Sequence, residues 1–346
     1  MGAVLLTVLF YYLNKQYREI ADNLIGTYYE PHRDIVLVTG GSGGLGREIV
    51  SKFSAAEGSR VVVLDINVPL QADKIPGVYY YKCDVSNRRE VLKVSSVVKK
   101  EVGIVSILIN NAGITFGKTL VDLSFDEIES TIQINLLSSF YTIKAFLPNM
   151  LEHKRGYIVT VASALGYMSP ARLSAYGASK SGLIALHESL TYELGPPSVS
   201  PKGVKMLLIC PGQLQTRMFE GVHTPSTSLA PELKPEYVAK TIFNAVELGR
   251  RGEIRIPFYA NILPIFRAAP WPVVEVTRRL SGIDRSMTEF VGRAKSLKDN
   301  LSLSSKRSSN NSKESLNSNS EAGSVFLGQP IDIISNSLLH QGMVLK

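Results

Sequence analysis

Length, composition and charge restrict the kinds of protein that this chain can be. With 346 residues, 45% of them hydrophobic, it is long enough for one large folded domain with appended segments. The net charge of +8 comes from scattered Lys and Arg pairs without interleaved aromatic residues, which argues against a nucleic-acid groove and favours a mild attraction to anionic membrane surfaces. The two cysteines, Cys83 and Cys210, have no metal-ligand or disulfide spacing, so we expect buried thiols in a reducing compartment and no metal site.

The first 33 residues read as a membrane anchor and linker. Residues 1–13 are almost wholly apolar and are followed by the basic residues Lys15 and Arg18. A helix that spans hydrocarbon needs about 20 apolar residues, so this segment is expected to embed in one leaflet rather than cross. Basic residues do not precede it and no small-residue cleavage site follows, which argues against a signal peptide. A buried N-terminal helix is the alternative.

A buried-strand pattern at 34–39 runs directly into the glycine-rich turn 40–46 and then into a helical pattern at 47–57. Glycines let the backbone approach a pyrophosphate closely, and the helix N-terminus offers free N–H groups and a positive dipole end. A flexible turn would show the same glycines. The second strand, 60–65, distinguishes the two because it ends in Asp65, 19 residues after Gly46, close to the spacing of a ribose-binding acid.

Asp65 also favours NAD over NADP. Its carboxylate can accept hydrogen bonds from a ribose diol and would repel a 2′-phosphate, and neither Ile66 nor Asn67 adds a positive charge. A third strand, predicted at 79–85, carries Asp84 where it could meet the adenine edge. An acid that simply ends the strand is the alternative.

The strand 106–109 precedes Asn111, which we expect to stabilise the turn at the carboxyl edge of the sheet through side-chain to backbone hydrogen bonds. A long helix predicted at 125–152 places Asn135 in apolar surroundings, where an amide needs a partner. Asn135 is therefore either a satisfied polar group of the core or part of a site.

The predicted strand 157–163 and helix 175–194 present the most chemically suggestive residues. Tyr176 and Lys180 are four residues apart and share a helix face, so the ammonium group can favour the phenolate. A phenol tuned in this way can act as general acid and base between an alcohol and a carbonyl, with Ser163 holding the same oxygen. Considered alone, an ordinary surface pair is the more common explanation of this spacing.

Further elements at 204–210, 235–247 and 253–257 continue the alternation of strand and helix. It predicts one α/β domain over residues 34–258, a Rossmann-type doubly wound parallel sheet. The loop 213–231 is expected to act as a mobile lid. The apolar, proline-broken segment 259–294 either covers the pocket and rests on a membrane or packs back onto the domain. The Ser/Asn-rich residues 295–346 form a tail that is expected to be disordered.

Together these residues resemble the short-chain dehydrogenase/reductase superfamily over residues 34–257. The resemblance rests on Thr39 and the glycine turn, on the motif 110–113, and on a complete tetrad of Asn135, Ser163, Tyr176 and Lys180. It implies that Tyr176 transfers the proton, Ser163 orients the substrate oxygen, Lys180 lowers the tyrosine pKa and holds the nicotinamide ribose, and Asn135 positions a relay water. The implied cofactor contacts are Thr39, Gly40, Ser42, Gly43, Gly44, Leu45, Gly46, Asp65, Asp84, Val85, Asn111, Ala112, Gly113, Tyr176, Lys180, Pro211, Gly212 and Thr216.

Segments 105–113, 144–150, 156–163 and 224–231 are similar to the lipid-droplet and endoplasmic-reticulum 17-beta-hydroxysteroid dehydrogenase group and its retinol dehydrogenase relatives. That resemblance implies a homodimer, associated with the endoplasmic reticulum or lipid droplets and facing the cytosol. It also implies NAD(P)-dependent interconversion of a lipophilic alcohol and its carbonyl partner: a steroid, a retinoid or a fatty-acyl-derived alcohol. A lipid-surface scaffold with little turnover and a soluble NADPH-dependent carbonyl reductase are the alternatives.

Overall fold

The computed structural model describes Leu13 and residues 29–195, 202–222 and 230–291. The predicted anchor, apart from Leu13, the loop residues 223–229 and the predicted tail lie outside the described residues. Within the described ranges no helix combines the length and the apolar character needed to cross a membrane.

A parallel sheet forms the centre of the described fold, with seven strands in the order β3-β2-β1-β4-β5-β6-β7. This order confirms the predicted doubly wound Rossmann-type sheet, because the chain first builds outward from β1 to β3 and then returns through β4 to β7. The strands β1, β4, β5 and β6 are buried at every position, as expected where helices cover both faces. Their bounds are β1 Ile35–Thr39, β2 Arg60–Asp65, β3 Val78–Lys82, β4 Ile107–Asn110, β5 Gly156–Val161, β6 Val204–Pro211 and β7 Gly252–Ile256.

The helices pack in two layers. On one face α1 and α6 form an apolar core with the sheet, and on the other face α2, α4 and α5 do so. The buried free thiol of Cys83 belongs to the second core, and that of Cys210 lies in a smaller cluster beside α5. The helices are α1 Gly44–Ser54, α2 Arg88–Glu101, α3 Phe125–Ile132, α4 Ser138–Glu152, α5 Ser174–Glu193, α6 Pro235–Glu247, α7 Leu263–Ala268 and α8 Trp271–Ser281.

Two differences from the sequence-based expectation concern candidate site residues. The single helix expected over 125–152 is two helices, α3 and α4, joined by a wider π-type turn at Gln133–Leu137. That turn contains Asn135, whose side chain bonds the backbone of Ile114. The third strand ends at Lys82, so Asp84 and Val85 follow it in a turn where Asp84 Oδ1 accepts from the backbone N–H of Ser86.

The amino edge of the sheet is joined by an ion pair between the buried Asp34 and the partly buried Arg155, which also lies 3.3 Å from the Glu30 carboxylate. Arg155, just before β5, donates from Nε and Nη2 to the two carboxylate oxygens of Asp34, both at 2.8 Å. Ser106, just before β4, donates to Asp34 Oδ1 at 2.8 Å and accepts from the N–H of Ile35 at 3.2 Å. Asp34 therefore connects the starts of three neighbouring strands.

Candidate active site

The glycine turn after β1 has the shape of a phosphate cradle. Gly40 and Gly44 have φ of +66° and +51°, in the left-handed region that favours glycine. A Cβ on Gly46 would lie 2.1 Å from the carbonyl oxygen of Gly40, so only glycine fits there, whereas a Cβ on Gly43 would meet open space. The side-chain oxygen of Ser42 is buried and has no hydrogen-bond partner among the described residues. An unpaired hydroxyl beside a helix N-terminus fits a dinucleotide pyrophosphate.

Asp65 ends β2 beside this turn and has a second role that its spacing did not reveal. Its Oδ2 accepts from the backbone N–H of Ser42 at 3.0 Å, and its Oδ1 accepts from the N–H of Asn67 at 2.9 Å. The carboxylate therefore orders the glycine turn as well as lining the cavity. Asp65 would therefore contact the ribose with a carboxylate that also fixes the position of the glycine turn.

Asn111 connects the ends of β1 and β4. Its Nδ2 donates to the carbonyl oxygens of Thr39 at 3.0 Å and Gly40 at 3.3 Å. In return, Thr39 Oγ1 accepts from the N–H groups of Asn111 and Ala112 at 3.0 and 3.1 Å. These bonds are the side-chain to backbone contacts that the sequence predicted, and they fix the floor of the cavity.

The side chains of Ser163, Tyr176 and Lys180 converge at the carboxyl edge of the sheet. Tyr176 and Lys180 occupy the first turns of α5, and Ser163 follows β5. Ser163 Oγ accepts from the N–H of Leu165 at 3.1 Å and donates to the carbonyl oxygen of Pro211 at 3.5 Å, and it lies near enough to the Tyr176 hydroxyl to lower the pKa of that group. The Lys180 ammonium lies 5.7 Å from the centre of the Tyr176 ring and donates to the carbonyl oxygen of Val161 at 2.9 Å. All three side chains are buried.

The electrostatics of this group differ from the expectation that Lys180 lowers the tyrosine pKa. Burial raises the pKa of Tyr176 to about 12, and the nearby Ser163 hydroxyl only partly opposes that rise. Burial also lowers the pKa of Lys180 to about 8. The Lys180 ammonium is itself desolvated and donates its hydrogen bond to the carbonyl oxygen of Val161. Among the protein's own groups, the cost of burying a Tyr176 phenolate therefore exceeds the stabilisation that Lys180 gives it. Tyr176 is consequently a protonated phenol at neutral pH, ready to donate.

Asn135 does not line the cavity and its amide is fully engaged. Its Oδ1 accepts from the N–H of Ile114 at 2.7 Å, and its Nδ2 donates to the Ile114 carbonyl oxygen at 2.9 Å and to Ser179 Oγ at 3.0 Å. This is the satisfied core polar group that the sequence left as an alternative. The amide holds the loop after β4 against α5, and a Cβ on Gly113 of that loop would lie 3.4 Å from Asn135 Oδ1 and 3.8 Å from Lys180 Nζ.

One cavity of about 1670 Å³ unites most of the residues singled out from the sequence. It exceeds the roughly 300–1,000 Å³ of a typical ligand pocket, so it has room for a dinucleotide and a second molecule. Thr39 and Asn135 do not line the cavity but hydrogen-bond to the backbone of residues that do. The predicted residues that line it are Gly40, Ser42, Gly43, Gly44, Leu45, Gly46, Asp65, Asp84, Val85, Asn111, Ala112, Gly113, Ser163, Tyr176, Lys180, Pro211, Gly212 and Thr216.

The apolar end of the cavity was not foreseen residue by residue. Met287 is 2% exposed and packs with Leu173 against Tyr176. Other apolar walls come from the loop after β5, the segment after β6, and α7 with its flanks; they include Leu165, Met168, Phe219, Tyr259, Leu263 and Phe266. No motif marks these residues, because each is an ordinary apolar side chain brought in from a different part of the chain.

Comparison with known proteins agrees with this geometry. The family described as short chain dehydrogenase matches residues 34–226. Retinol dehydrogenase 10-B of Danio rerio is 37% identical over 259 residues, 74% of this chain and 75% of that protein. Estradiol 17-beta-dehydrogenase 11 of Macaca fascicularis is 39% identical over 220 residues, 62% of this chain and 71% of that protein.

The fold is also found among solved structures. The crystal structure of a short-chain dehydrogenase from Streptomyces avermitilis matches with a TM-score of 0.58 at 25% identity, covering 71% of this chain and 94% of that one. The chain thus belongs to the short-chain dehydrogenase family and is an oxidoreductase that acts on the CH–OH group of its donor with NAD(P).

Proposed function

We propose that the protein interconverts a lipophilic alcohol and its ketone or aldehyde, with Tyr176 as general acid and base. The observation that carries this proposal is the position of Tyr176, which lines one cavity together with Ser163 and Lys180 where the glycine-lined end of that cavity meets its apolar end. The nicotinamide cofactor, when bound, supplies the hydride acceptor or donor. Its holders would be the glycine turn, Asp65, Lys180 and the residues after β6.

The residues around the reacting oxygen would have separate roles in proton transfer, positioning and charge stabilisation. In the direction of reduction, the Tyr176 hydroxyl donates its proton to the developing alkoxide, and the Ser163 hydroxyl holds that oxygen in place. In the direction of oxidation, Tyr176 must first lose its proton, which burial disfavours. Lys180 would stabilise the phenolate and engage the nicotinamide ribose. Asn135, with its side chain engaged, would position a relay water only through its backbone.

The substrate class follows from the walls of the cavity. Around Tyr176 they are apolar, with Leu173, Phe219 and Met287 in the same cluster. A steroid, a retinoid or a fatty-acyl-derived alcohol fits such surroundings, because each presents one polar oxygen on a large apolar body. The names of the two curated relatives, a retinol dehydrogenase and an estradiol dehydrogenase, support this class.

We infer a preference for NAD over NADP from Asp65. A 2′-phosphate placed on the ribose would lie against a carboxylate that is already held by two backbone N–H groups and has little freedom to withdraw. Calorimetric titration should show tighter binding of NADH than of NADPH. The reverse order would contradict this assignment and leave the fold and the reaction unaffected.

Membrane association, at the endoplasmic reticulum or a lipid droplet, is part of the same proposal and rests on the apolar residues 1–13. A fusion of residues 1–33 to a fluorescent reporter should localise to membranes or droplets. A diffuse signal would contradict the anchor.

The test of the reaction is turnover of NADH or NAD by the full-length protein in liposomes. A panel of steroids, retinol and long-chain alcohols and ketones should contain a substrate whose turnover falls about 10²- to 10⁴-fold in Tyr176→Phe, the size of a general acid–base contribution. Tyr192→Phe is the matched control, since Tyr192 is exposed at the far end of α5 and should leave turnover unchanged. Tight NADH binding without turnover of any panel member would instead favour a lipid-surface scaffold.

A further inference from the structure

The helices α7 and α8, with the residues around them, form a segment with two different faces. Inward, Leu263 and Phe266 line the cavity. Outward, large apolar side chains are exposed, among them Trp271 at 75% and Leu280 at 84%. The other exposed apolar side chains of this face are Ile262, Ile265, Val273 and Val276. We call these six residues the outer face.

This outer face adjoins the mouth of the cavity. Ile262 and Leu280 are exposed and at the same time line the cavity, so the opening emerges among the apolar side chains. Val273, Val276 and Leu280 follow i, i+3, i+7 spacing and therefore share one side of α8. Trp271 begins α8 nine residues before Leu280, half a turn away around the helix, and is exposed as well. Six large apolar side chains exposed within one short segment mark an interaction site rather than ordinary exposure of single side chains.

Polar contacts fix the segment so that it cannot turn its apolar side chains inward. Arg278 donates from Nε to Asp284 at 3.0 Å and from Nη2 to the Ser169 carbonyl oxygen at 3.1 Å. Asp284 in turn accepts from the N–H of Ala171 at 3.0 Å, and Arg267 donates to the Gly166 carbonyl oxygen at 3.2 Å. The loop after β5 therefore holds α7 and α8 in one orientation.

The charge around the outer face selects its partner. Over residues 262–285 the acidic side chains are Glu275 and Asp284, and Asp284 is paired with Arg278. Arg267, Arg279 and Arg285 are exposed on the same segment, and Glu275 pairs with Arg279 at 3.2 Å, so the charges of Arg267 and Arg285 are left without an acidic counterpart between residues 262 and 285. Aromatic and aliphatic side chains flanked by arginines match a lipid surface with anionic headgroups.

We propose that the outer face docks on an anionic lipid surface and opens the cavity directly into the acyl layer. The substrate would then enter from lipid past Ile262 and Leu280 without crossing water. This entry route rests on the proposed function, whereas the docking itself does not. It is a contact in addition to the predicted N-terminal anchor, made by a different part of the chain.

Trp271 is the only tryptophan of the chain, so its fluorescence reports on this face directly. The full-length protein should show Trp emission that acrylamide quenches in solution. On phosphatidylcholine vesicles containing phosphatidylserine, acrylamide quenching should fall several-fold, and lipids brominated in the acyl chain should quench instead. Omitting phosphatidylserine should weaken this protection. The measurement needs no turnover, so it can fail or succeed independently of the proposed reaction.

Paired variants separate this contact from the N-terminal anchor. Ile265→Asn with Leu280→Asn leaves Trp271 in place and should restore acrylamide quenching on vesicles. Leu92→Asn with Tyr192→Asn changes two exposed apolar residues on α2 and α5, and should leave the protection intact.

Three outcomes would overturn the proposal. The first is a Trp271 that stays accessible to acrylamide while the protein is bound to vesicles, which would assign binding to the anchor alone. The second is a Trp271 that is protected before any vesicle is added, which would indicate a second copy or another segment of the chain on this face. The third is protection of the outer-face asparagine variant equal to that of the unaltered protein.

Discussion

The two edges of the sheet differ in how completely their buried polar groups are paired within the chain. At the amino edge, Asp34 and Arg155 neutralise each other, and Ser106 and backbone groups take the remaining hydrogen bonds. At the carboxyl edge, Lys180 is buried with a carbonyl oxygen as its hydrogen-bond acceptor, and the hydroxyl of Ser42 has no partner among the described residues.

This difference assigns the amino edge to the stability of the fold and the carboxyl edge to ligand binding. A buried polar group that is fully paired within the chain contributes to a unique fold, whereas one left incomplete costs stability and is available to a ligand. The same sheet therefore carries a structural clamp at one edge and a reactive site at the other. Perturbing matched residues at the two edges should affect different measurements.

The largest effect on stability should come from Asp34→Asn. Removing the carboxylate leaves the partly buried Arg155 guanidinium with the half-exposed Glu30, at 3.3 Å, as its acidic partner, which should lower the free energy of unfolding by about 2–3 kcal/mol. Urea unfolding would measure the loss, and the turnover number of the folded protein should be unchanged. Adding Arg155→Met to the same protein should recover part of the stability. A loss below about 1 kcal/mol, as for an exposed ion pair, would contradict the clamp.

A matched pair of serines should give intermediate effects of opposite kind. Ser106→Ala removes bonds to Asp34 and Ile35 and should lower the free energy of unfolding by about 1–2 kcal/mol while NADH affinity stays the same. Ser42→Ala removes an unpaired hydroxyl, so it should leave stability unchanged or slightly higher and weaken NADH binding about tenfold. Equal effects of the two variants on both measurements would refute the contrast between the edges.

The carboxyl edge should also respond to pH without any substitution. Since burial raises the pKa of Tyr176 to about 12, the phenolate is scarce at neutral pH and increases up to about tenfold per pH unit. The kcat/KM for alcohol oxidation should rise accordingly and flatten above about pH 8, where Lys180 loses its charge. Ketone reduction, which uses the protonated phenol, should change little below that pH. An oxidation rate independent of pH would argue against Tyr176 as the base.

What the sequence predicted and what it missed have physical reasons. The glycine turn and the pair Tyr176 and Lys180 could be recognised because each depends on local spacing along one turn or helix. The pair Asp34 and Arg155 spans 121 residues and could not, since no local pattern encodes a long-range contact. Met287 was missed for the same reason, although it packs on Tyr176.

The tyrosine pKa was misjudged from spacing alone. A distance along a helix places Lys180 near Tyr176 but does not report how deeply both are buried or where the ammonium points. Burial determines the sign of the shift here. The π-type turn around Asn135 was not predicted for a related reason, because it accompanies a hydrogen bond to the backbone of Ile114 on another loop.

The double engagement of Asp65 links cofactor choice to loop geometry. Its carboxylate holds the N–H of Ser42 at 3.0 Å, so a redesign toward NADP that replaces Asp65 with a small or basic residue would also release the phosphate-binding turn. A successful redesign would need a second substitution that gives the Ser42 N–H a new acceptor. Under the proposed preference for NAD, one substitution at Asp65 would therefore not be enough to exchange the cofactor.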